Sequence, residues 1–260
     1  MNPASASTPP AFRTIPDLIR EHAQAAPHRR ALAQAAGTEA RAIDYATLDA
    51  RMDRVAAALQ RDGLQAGDAI ALCAASSIDY ATVYLGALRA GVVVAPLAPG
   101  STPEAFARML ADAGARRLFT DASAADTVGH AGLGTVPRIA LDGSSAGQPL
   151  DAWLVAPETA PAPVAIQPDW AFNIIYSSGT TGAPKGIVQS HGMRWAHVTR
   201  GARYGYGPAT VTLLSTPLYS NTTLVVLFPT LAYGGTVLLM PRFDAAGYLA
   251  LAQAERVTHT

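Results

Sequence analysis

One short run of the sequence combines glycine, hydroxyl and cationic residues as a phosphate-binding turn requires. It occupies residues 176–191 and reads YSSGTTGAPKGIVQSH. Its glycines let the backbone approach a ligand, its hydroxyls can donate hydrogen bonds, and its lysine adds a positive charge. The run therefore predicts a polyphosphate-binding loop, with candidate binding residues Ser177, Ser178, Gly179, Thr180, Thr181, Gly182 and Lys185.

The two better-known glycine loops do not match this run. A Walker A loop ends in Gly-Lys-Ser/Thr, whereas Lys185 follows Pro184 and precedes Gly186. The Gly-x-Gly-x-x-Gly spacing of a dinucleotide fingerprint is also missing. The alternative interpretation is a solvated hairpin or linker rich in Ser, Thr and Gly. An apolar strand-like segment at 171–176, and a second one that begins at Ile187, favour the nucleotide loop.

The composition limits the class of partner. The chain has 260 residues, of which 50% are apolar and 15% charged, so it can bury a core. Nineteen basic and nineteen acidic residues cancel, so no overall field attracts nucleic acid or an anionic membrane. We therefore expect a small-molecule partner and no nucleic acid, while the oligomeric state stays open.

Signals for metals, disulfides and targeting are few. Cys73 lies in an apolar run and is expected to be a buried thiol, and the six histidines lack metal-ligand spacing. Residues 1–12 are expected to be flexible and lack the apolar core of a secretory signal, which favours the cytoplasm. Residues 204–241 carry no charge, but Pro229 and two glycines interrupt them. We expect buried interior there, not a transmembrane segment.

Helical and strand periodicity alternate along the chain. Asp44, Ser76 or Ser77, and Thr102 are placed to cap helices. The expected helices cover 43–63, 76–91 and 102–114, and the expected strands cover 69–74, 92–96 and 117–120. This order predicts an α/β fold of mostly parallel sheets sandwiched by helices, with ligands bound beyond the carboxyl ends of strands. Residues 144–168 have little periodicity and are interpreted as a surface connection.

The run at 176–191 closely resembles the signature loop of the acyl-adenylate-forming superfamily. That superfamily includes acyl-CoA synthetases, aryl-CoA ligases, luciferases and the adenylation domains of peptide synthetases. Residues 67–72, 88–97 and 231–239 resemble further segments of acyl-CoA synthetases in the same order. The resemblance implies that residues 13–260 form part of an N-terminal AMP-binding domain, with the C-terminal domain absent.

The resemblance also implies a reaction. A carboxylic acid would be activated by ATP to an acyl-adenylate and then transferred to CoA as a thioester, with Mg²⁺ as cofactor. The Mg²⁺ ligands and the adenine and ribose contacts are expected outside this chain, so the 260 residues are expected to be inactive alone. Thr181 and Lys185 are the expected catalytic residues, because phosphoryl chemistry depends on positioning and charge stabilisation.

The acid pocket is expected near residues 215–223. Tyr219, Asn221 and Thr222 are the candidate substrate residues, and Ser220 stands where the family commonly has histidine. The uncharged segment that follows suggests an apolar acyl or aryl group. Three alternatives stay open: a non-catalytic nucleotide- or acyl-binding remnant, an adenylation domain that loads a carrier-protein thiol, and an unrelated phosphotransferase with a carboxylate pair for Mg²⁺.

Overall fold

The computed structural model describes residues 10–34, 41–132, 134–178 and 184–260. Two 3-10 helices, Ala122–Ala124 and Arg200–Tyr204, accompany the longer elements. The α-helices are α1 Ile15–Ala25, α2 Tyr45–Arg61, α3 Ile78–Arg89, α4 Pro103–Asp112, α5 Ala125–His130, α6 Leu150–Trp153, α7 His191–Thr199, α8 Asn221–Ala232 and α9 Ala245–Ala254. The strands are β1 Arg30–Gln34, β2 Arg41–Asp44, β3 Ala69–Cys73, β4 Val93–Pro96, β5 Ala115–Thr120, β6 Arg138–Ala140, β7 Gln148–Pro149, β8 Ala171–Ser178, β9 Pro184–Ser190, β10 Val211–Leu214 and β11 Thr236–Leu239.

The strands form two sheets. A seven-stranded sheet has the order β7-β6-β5-β3-β4-β8-β9, and a four-stranded sheet has the order β10-β11-β1-β2. All neighbours are parallel except the pairs β8–β9 and β1–β2. The predicted α/β fold with mostly parallel sheets is confirmed. The alternation of elements did not show which strands belong to which sheet.

Local capping explains why the expected helices begin where they do. The side chain of Asp44 accepts the amide of Thr47 at 2.8 Å, and Ser77 caps α3 in the same way. Ser76 is therefore not the cap, but its hydroxyl accepts the backbone amide of Leu218 at 3.0 Å. Thr102 caps α4. These hydroxyl and carboxylate acceptors satisfy amides that have no partner inside the helix.

Helix α3 lies between the two sheets. All its residues from Ile78 to Leu88 are buried, and it contacts β1 of one sheet and β3 and β4 of the other. The largest core cluster accordingly joins side chains of both sheets with those of α2, α3 and α8. At the end of α3, Arg89 pairs with Asp49 at 2.5 Å and Asp53 at 2.9 Å, which ties α3 to α2.

The surface connection expected at 144–168 is only partly correct. Residues 148–153 form β7 and α6, and Leu150 and Trp153 are buried. The indole of Trp153 packs edge-on against Phe119 and donates to Asp62 at 2.8 Å. A four-residue helix is too short to show periodicity in the sequence. From residue 155 to 168 the chain is exposed or half-buried, as expected.

Two further expectations concern apolar segments. Cys73 is fully buried, and burial raises the pKa of its thiol to about 12, which fits a core residue. The uncharged segment forms β10, α8 and β11, and most of its residues between 223 and 240 are buried. No helix in the described part of the chain is long and apolar enough to cross a membrane.

The contact between α2 and α3 gives a test of this packing. A Cβ added at Gly86 would lie 2.6 Å from the Cβ of Val55, so Gly86→Ala must push the helices apart. We expect the free energy of unfolding to fall by about 1–3 kcal/mol, measured by urea denaturation. Gly129 of α5 has open space around it, so Gly129→Ala should be neutral or stabilising. Equal losses in the two variants would contradict the close helix contact.

Candidate phosphate- and acid-binding site

The glycine-rich run lies at the tip of a hairpin made by β8 and β9. The two strands pair antiparallel, with Ser177 opposite Lys185 and Tyr176 opposite Gly186. The second strand was predicted to begin at Ile187, but it begins at Pro184, so Lys185 belongs to a strand and not to the loop. The loop residues Gly179, Thr180, Thr181 and Gly182, and the side chain of Ser178, lie outside the described residues.

The hairpin sits at the edge of the sheet where ligands were expected. Strand β8 runs parallel to β4, with Asn173 beside Val94. The carboxyl end of β8 therefore points the same way as those of β3, β4 and β5. In open α/β sheets this edge is where ligands bind.

Contacts at the base of the hairpin fix its position. The hydroxyl of Tyr176 lies 2.6 Å from the carboxylate of Asp112 and 3.0 Å from the carbonyl of Met109, both in α4. Burial and the acceptor Asp112 raise the pKa of Tyr176, so the phenol stays protonated and can donate. A Cβ at Gly186 would lie 3.2 Å from both Tyr176 and Asp112. Glycine at this position leaves room for the bond.

Two predicted phosphate ligands lie together and exposed near the end of the hairpin. Ser177 and Lys185 are paired across the strands, and both are exposed. Within the described ranges no carboxylate forms a salt bridge with Lys185. Lys185 is also the only lysine of the chain, since all other basic residues are arginines. An ammonium and a hydroxyl placed side by side can bind phosphate oxygens.

Of the candidate acid-binding residues, Tyr219 lies in the turn before α8, and Asn221 and Thr222 are the first two residues of α8. Tyr219 and Asn221 are half-buried, and Thr222 is exposed. The turn is held from two sides: the amide of Leu218 donates to Ser76, and the hydroxyl of Thr223 donates to the carbonyl of Pro217 at 2.8 Å. Because Ser76 follows β3, the turn is attached to the carboxyl edge of the seven-stranded sheet.

Sequence reasoning missed Arg194, which connects the hairpin to this turn. Arg194 is only 1% exposed, and its guanidinium donates to the side-chain oxygens of Gln189 in β9 and of Asn221 in α8. The bond to Asn221 is 2.6 Å long. The available signal was the helical spacing of 191, 194 and 198, which places Arg194 on the buried face of α7 with His191 and Val198.

His191 begins α7 beneath the hairpin. Its ring is 3% exposed, packs edge-on against Phe172 at 5.0 Å, and its Nε2 has no hydrogen-bond partner in the described structure. Burial lowers the pKa of His191 to about 4, because the charged ring would lose its hydration. The ring is therefore neutral at physiological pH. This supports a packing role for His191 over a catalytic one.

A family model described as AMP-binding enzyme matches residues 19–260. The chain belongs to this family. One relative that it resembles is phosphinothricin tripeptide synthetase PhsB of Streptomyces viridochromogenes. The two are 32% identical over 87% of this chain and 18% of that protein. Another is 4-coumarate–CoA ligase 3 of rice, with 29% identity over 85% of this chain and 41% of that protein.

Solved structures agree with this assignment. The N-terminal domain of FACL13 from Mycobacterium tuberculosis matches with a TM-score of 0.80 and 25% identity, over 95% of this chain and 62% of that one. The chain thus spans less than half the length of the two curated AMP-binding relatives named above. The domain limits expected from the sequence, 13–260, stay a prediction, although the match to residues 19–260 is compatible with them.

The neutral state of His191 can be tested by titration. The His191 ring should take up a proton near pH 6.5 in the unfolded chain, but only near pH 4 in the folded protein. Stability should therefore fall as the pH falls through this window, by at most roughly 3 kcal/mol. His191→Gln should remove this part of the pH dependence in urea denaturation, while His130→Gln, at an exposed histidine, should not. Titration of the His191 ring near pH 6.5 by NMR would contradict the assignment.

Proposed function

We propose that this chain is the ATP-binding part of an acid–thiol ligase that activates a carboxylic acid as its adenylate and passes the acyl group to CoA. The single observation that carries the proposal is the hairpin of an AMP-binding enzyme in which Lys185 is exposed beside Ser177 and pairs with no carboxylate of the described residues. The ammonium of Lys185 and the hydroxyl of Ser177 can hold the outer phosphates of ATP while the acid attacks the α-phosphate.

In this reaction a carboxylate oxygen attacks the α-phosphorus of ATP, and the bond to the bridging oxygen of pyrophosphate breaks. Negative charge builds on the departing pyrophosphate, so a cation and fixed amide donors near its oxygens lower the barrier. We assign the cation to Lys185, with Thr181 as the second catalytic residue. We assign the donors to Ser177, Ser178, Thr180 and the amides around Gly179 and Gly182.

Mg²⁺, when bound, would shield the same phosphates. No group of three His, Cys, Asp or Glu side chains in the described ranges could hold a metal ion. We therefore assign Mg²⁺ no ligand and derive no step through it.

The thiol acceptor is the less constrained part of the proposal. Similarity to 4-coumarate–CoA ligase 3 supports CoA, whereas similarity to a tripeptide synthetase supports a carrier-bound thiol as the second candidate. Adenylate formed by the enzyme should be consumed by free CoA in the first case. In the second case only a carrier domain bearing a pantetheine thiol should accept it.

The test of the proposed function is ATP–pyrophosphate exchange over a panel of aliphatic and aromatic carboxylic acids. It should be run on these 260 residues and on the complete gene product, followed by addition of CoA. We expect acid-dependent exchange in the complete protein and acyl-CoA on addition of CoA. Nucleotide binding without exchange for any acid would instead favour the non-catalytic remnant.

The role of Lys185 gives a sharper prediction. In the complete protein, Lys185→Ala should lower the exchange rate about 10- to 100-fold, because a hydrogen bond to a charged group is lost. Lys185→Arg should recover part of it, since the charge returns with different geometry. Arg203→Ala removes an exposed cation beyond α7 and should leave the rate unchanged.

Lysine modification gives an independent readout, because Lys185 is the only lysine of the sequence given. An amine-reactive reagent should label Lys185 in these 260 residues, and ATP should slow that labelling. Labelling at Lys185 that is indifferent to ATP, together with unchanged exchange in Lys185→Ala, would remove the assigned role.

A further inference from the structure

Among the described residues, the buried guanidinium of Arg194 has only neutral hydrogen-bond acceptors. Its recorded bonds go to Gln189 Oε1 and Asn221 Oδ1, and its Nε has no hydrogen-bond partner in the described structure. Among the described residues no carboxylate forms a salt bridge with it. A buried ion normally has a counter-ion, because its loss of hydration is costly. The positive charge is therefore not cancelled where it lies.

The faces of two aromatic rings account for part of the stabilisation. The guanidinium carbon lies 5.7 Å from the centre of Phe172 and 5.5 Å from that of Phe228. Cation–π contacts of this kind stabilise a desolvated cation without neutralising it. Burial lowers the pKa of Arg194, yet an arginine stays charged near neutral pH. The field of the cation therefore reaches the groups next to it.

Arg194 also fixes the orientation of the Asn221 amide. A guanidinium only donates hydrogen bonds, so the atom of Asn221 that faces it must be the oxygen. The side chain of Gln189 is oriented in the same way, and its NH₂ group approaches the same oxygen at 3.4 Å. The NH₂ group of Asn221 consequently faces away from Arg194. It has no acceptor among the described residues, although Asn221 is half-buried.

We propose that Asn221, oriented by Arg194, donates a hydrogen bond to an oxygen in the tail of the carboxylic acid substrate. The preferred acid then carries an acceptor oxygen away from its reacting carboxylate, and a second carboxylate binds best because of the nearby positive charge. Arg194 is a positioning residue, since it acts through Asn221. This inference rests on the proposed function, in which the turn at 219–222 contacts the acid.

The geometry suits recognition because the donor is fixed before the acid binds. Asn221 is the first residue of α8, whose start is attached to the turn by the bonds of Thr223 and, through Leu218, to Ser76. A donor that needs no reordering loses little entropy on binding. A site with a fixed donor also discriminates strongly against an analogue that lacks the acceptor, because the donor is then left unpaired.

The sequence suggested an apolar acyl or aryl group, whereas this proposal places a polar group in the tail of the acid. The suggestion rested on residues 204–241, which carry no charge. Arg194 lies in helix α7, before that segment in the sequence. Its guanidinium donates a hydrogen bond to Asn221, which belongs to the segment. The segment expected to line the pocket is thus uncharged in sequence, but the cation of Arg194 contacts its polar residue Asn221.

The test uses matched acids with the complete protein. Straight-chain monocarboxylic acids of increasing length are compared in ATP–pyrophosphate exchange with two acids of the same length. One is the dicarboxylic acid, and the other is the keto acid whose ketone lies next to the terminal methyl group. At the best length we expect kcat/KM for the dicarboxylic acid to exceed that for the monocarboxylic acid by about tenfold or more, the effect of one charge-assisted hydrogen bond. Preference for the hydrocarbon acid at every length would overturn the proposal.

Variants at Asn221 separate recognition from general damage. Asn221→Asp keeps the shape and can pair with Arg194, but it turns an oxygen towards the acid instead of an NH₂ group. The ratio of kcat/KM between the dicarboxylic or keto acid and the monocarboxylic acid of the same length should then fall at least about tenfold. Asn221→Leu should bring the ratio between the paired acids close to one. An unchanged ratio in Asn221→Asp would overturn the proposal.

Arg194→Met tests the positioning role. It should reduce the preference for the dicarboxylic acid while the KM for ATP stays the same, and Arg203→Met is the matched control at an exposed arginine. Because Arg194 is in the core, its variant is first checked by thermal unfolding, and the Asn221 variants decide the matter if it does not fold.

Calorimetric binding of the dicarboxylic acids to the complete protein without ATP separates this proposal from the proposed function. Absence of exchange with every acid would overturn the proposed function. A Kd for the dicarboxylic acid that Asn221→Asp leaves unchanged would overturn the role of Asn221. We expect that Kd to rise about tenfold or more.

Discussion

The structure depends on strand β8, which is hydrogen-bonded along both edges. On one side it pairs with the buried strand β4, and on the other it carries β9 as the second arm of the hairpin. At its centre the fully buried Asn173 donates to the hydroxyl of Tyr84 in α3 at 2.9 Å. The exposed pair Ser177 and Lys185 is therefore attached to a strand that the core holds in place. A phosphate site needs this rigidity, since small displacements of charged groups from a transition state are costly.

The same strand arrangement brings the two halves of the candidate site together. The second arm β9 leads directly into α7, and α7 packs against α8, whose first turn carries Asn221. Gln189 at the end of β9 and Arg194 in α7 both contact that asparagine. The hairpin is thus joined by hydrogen bonds to the turn proposed to contact the acid. These bonds are partly buried, and hydrogen bonds in a low-dielectric interior are stronger than those at the surface.

Sequence reasoning predicted the elements better than their contacts. Helix starts at Asp44 and Thr102 could be predicted because a cap is a local interaction between residues close in the chain. The hairpin could be located from glycines and flanking apolar residues, but its register, which places Lys185 in a strand, depends on pairing across the turn. Arg194 was not predicted, because a charged residue in an amphipathic helix is normally assigned to its exposed face. Its burial follows from how α7 packs on α8 and β8, which local patterns do not specify.

A comparison within the chain shows why it is informative that Arg194 has no carboxylate partner in the part of the chain that the structure describes. The side chain of Arg89 is also largely buried, at 8% exposure, and it has two aspartate partners from the facing helix α2. Helix packing in this fold can therefore supply acids to a buried guanidinium. Replacing Gln189 or Asn221 by the corresponding acid would supply one at Arg194 with almost no change in volume. Such a carboxylate would cancel the charge and repel an anion that approaches the turn. Neutral amide partners still hold the guanidinium in place by hydrogen bonds, and they leave its positive field available to a bound oxygen.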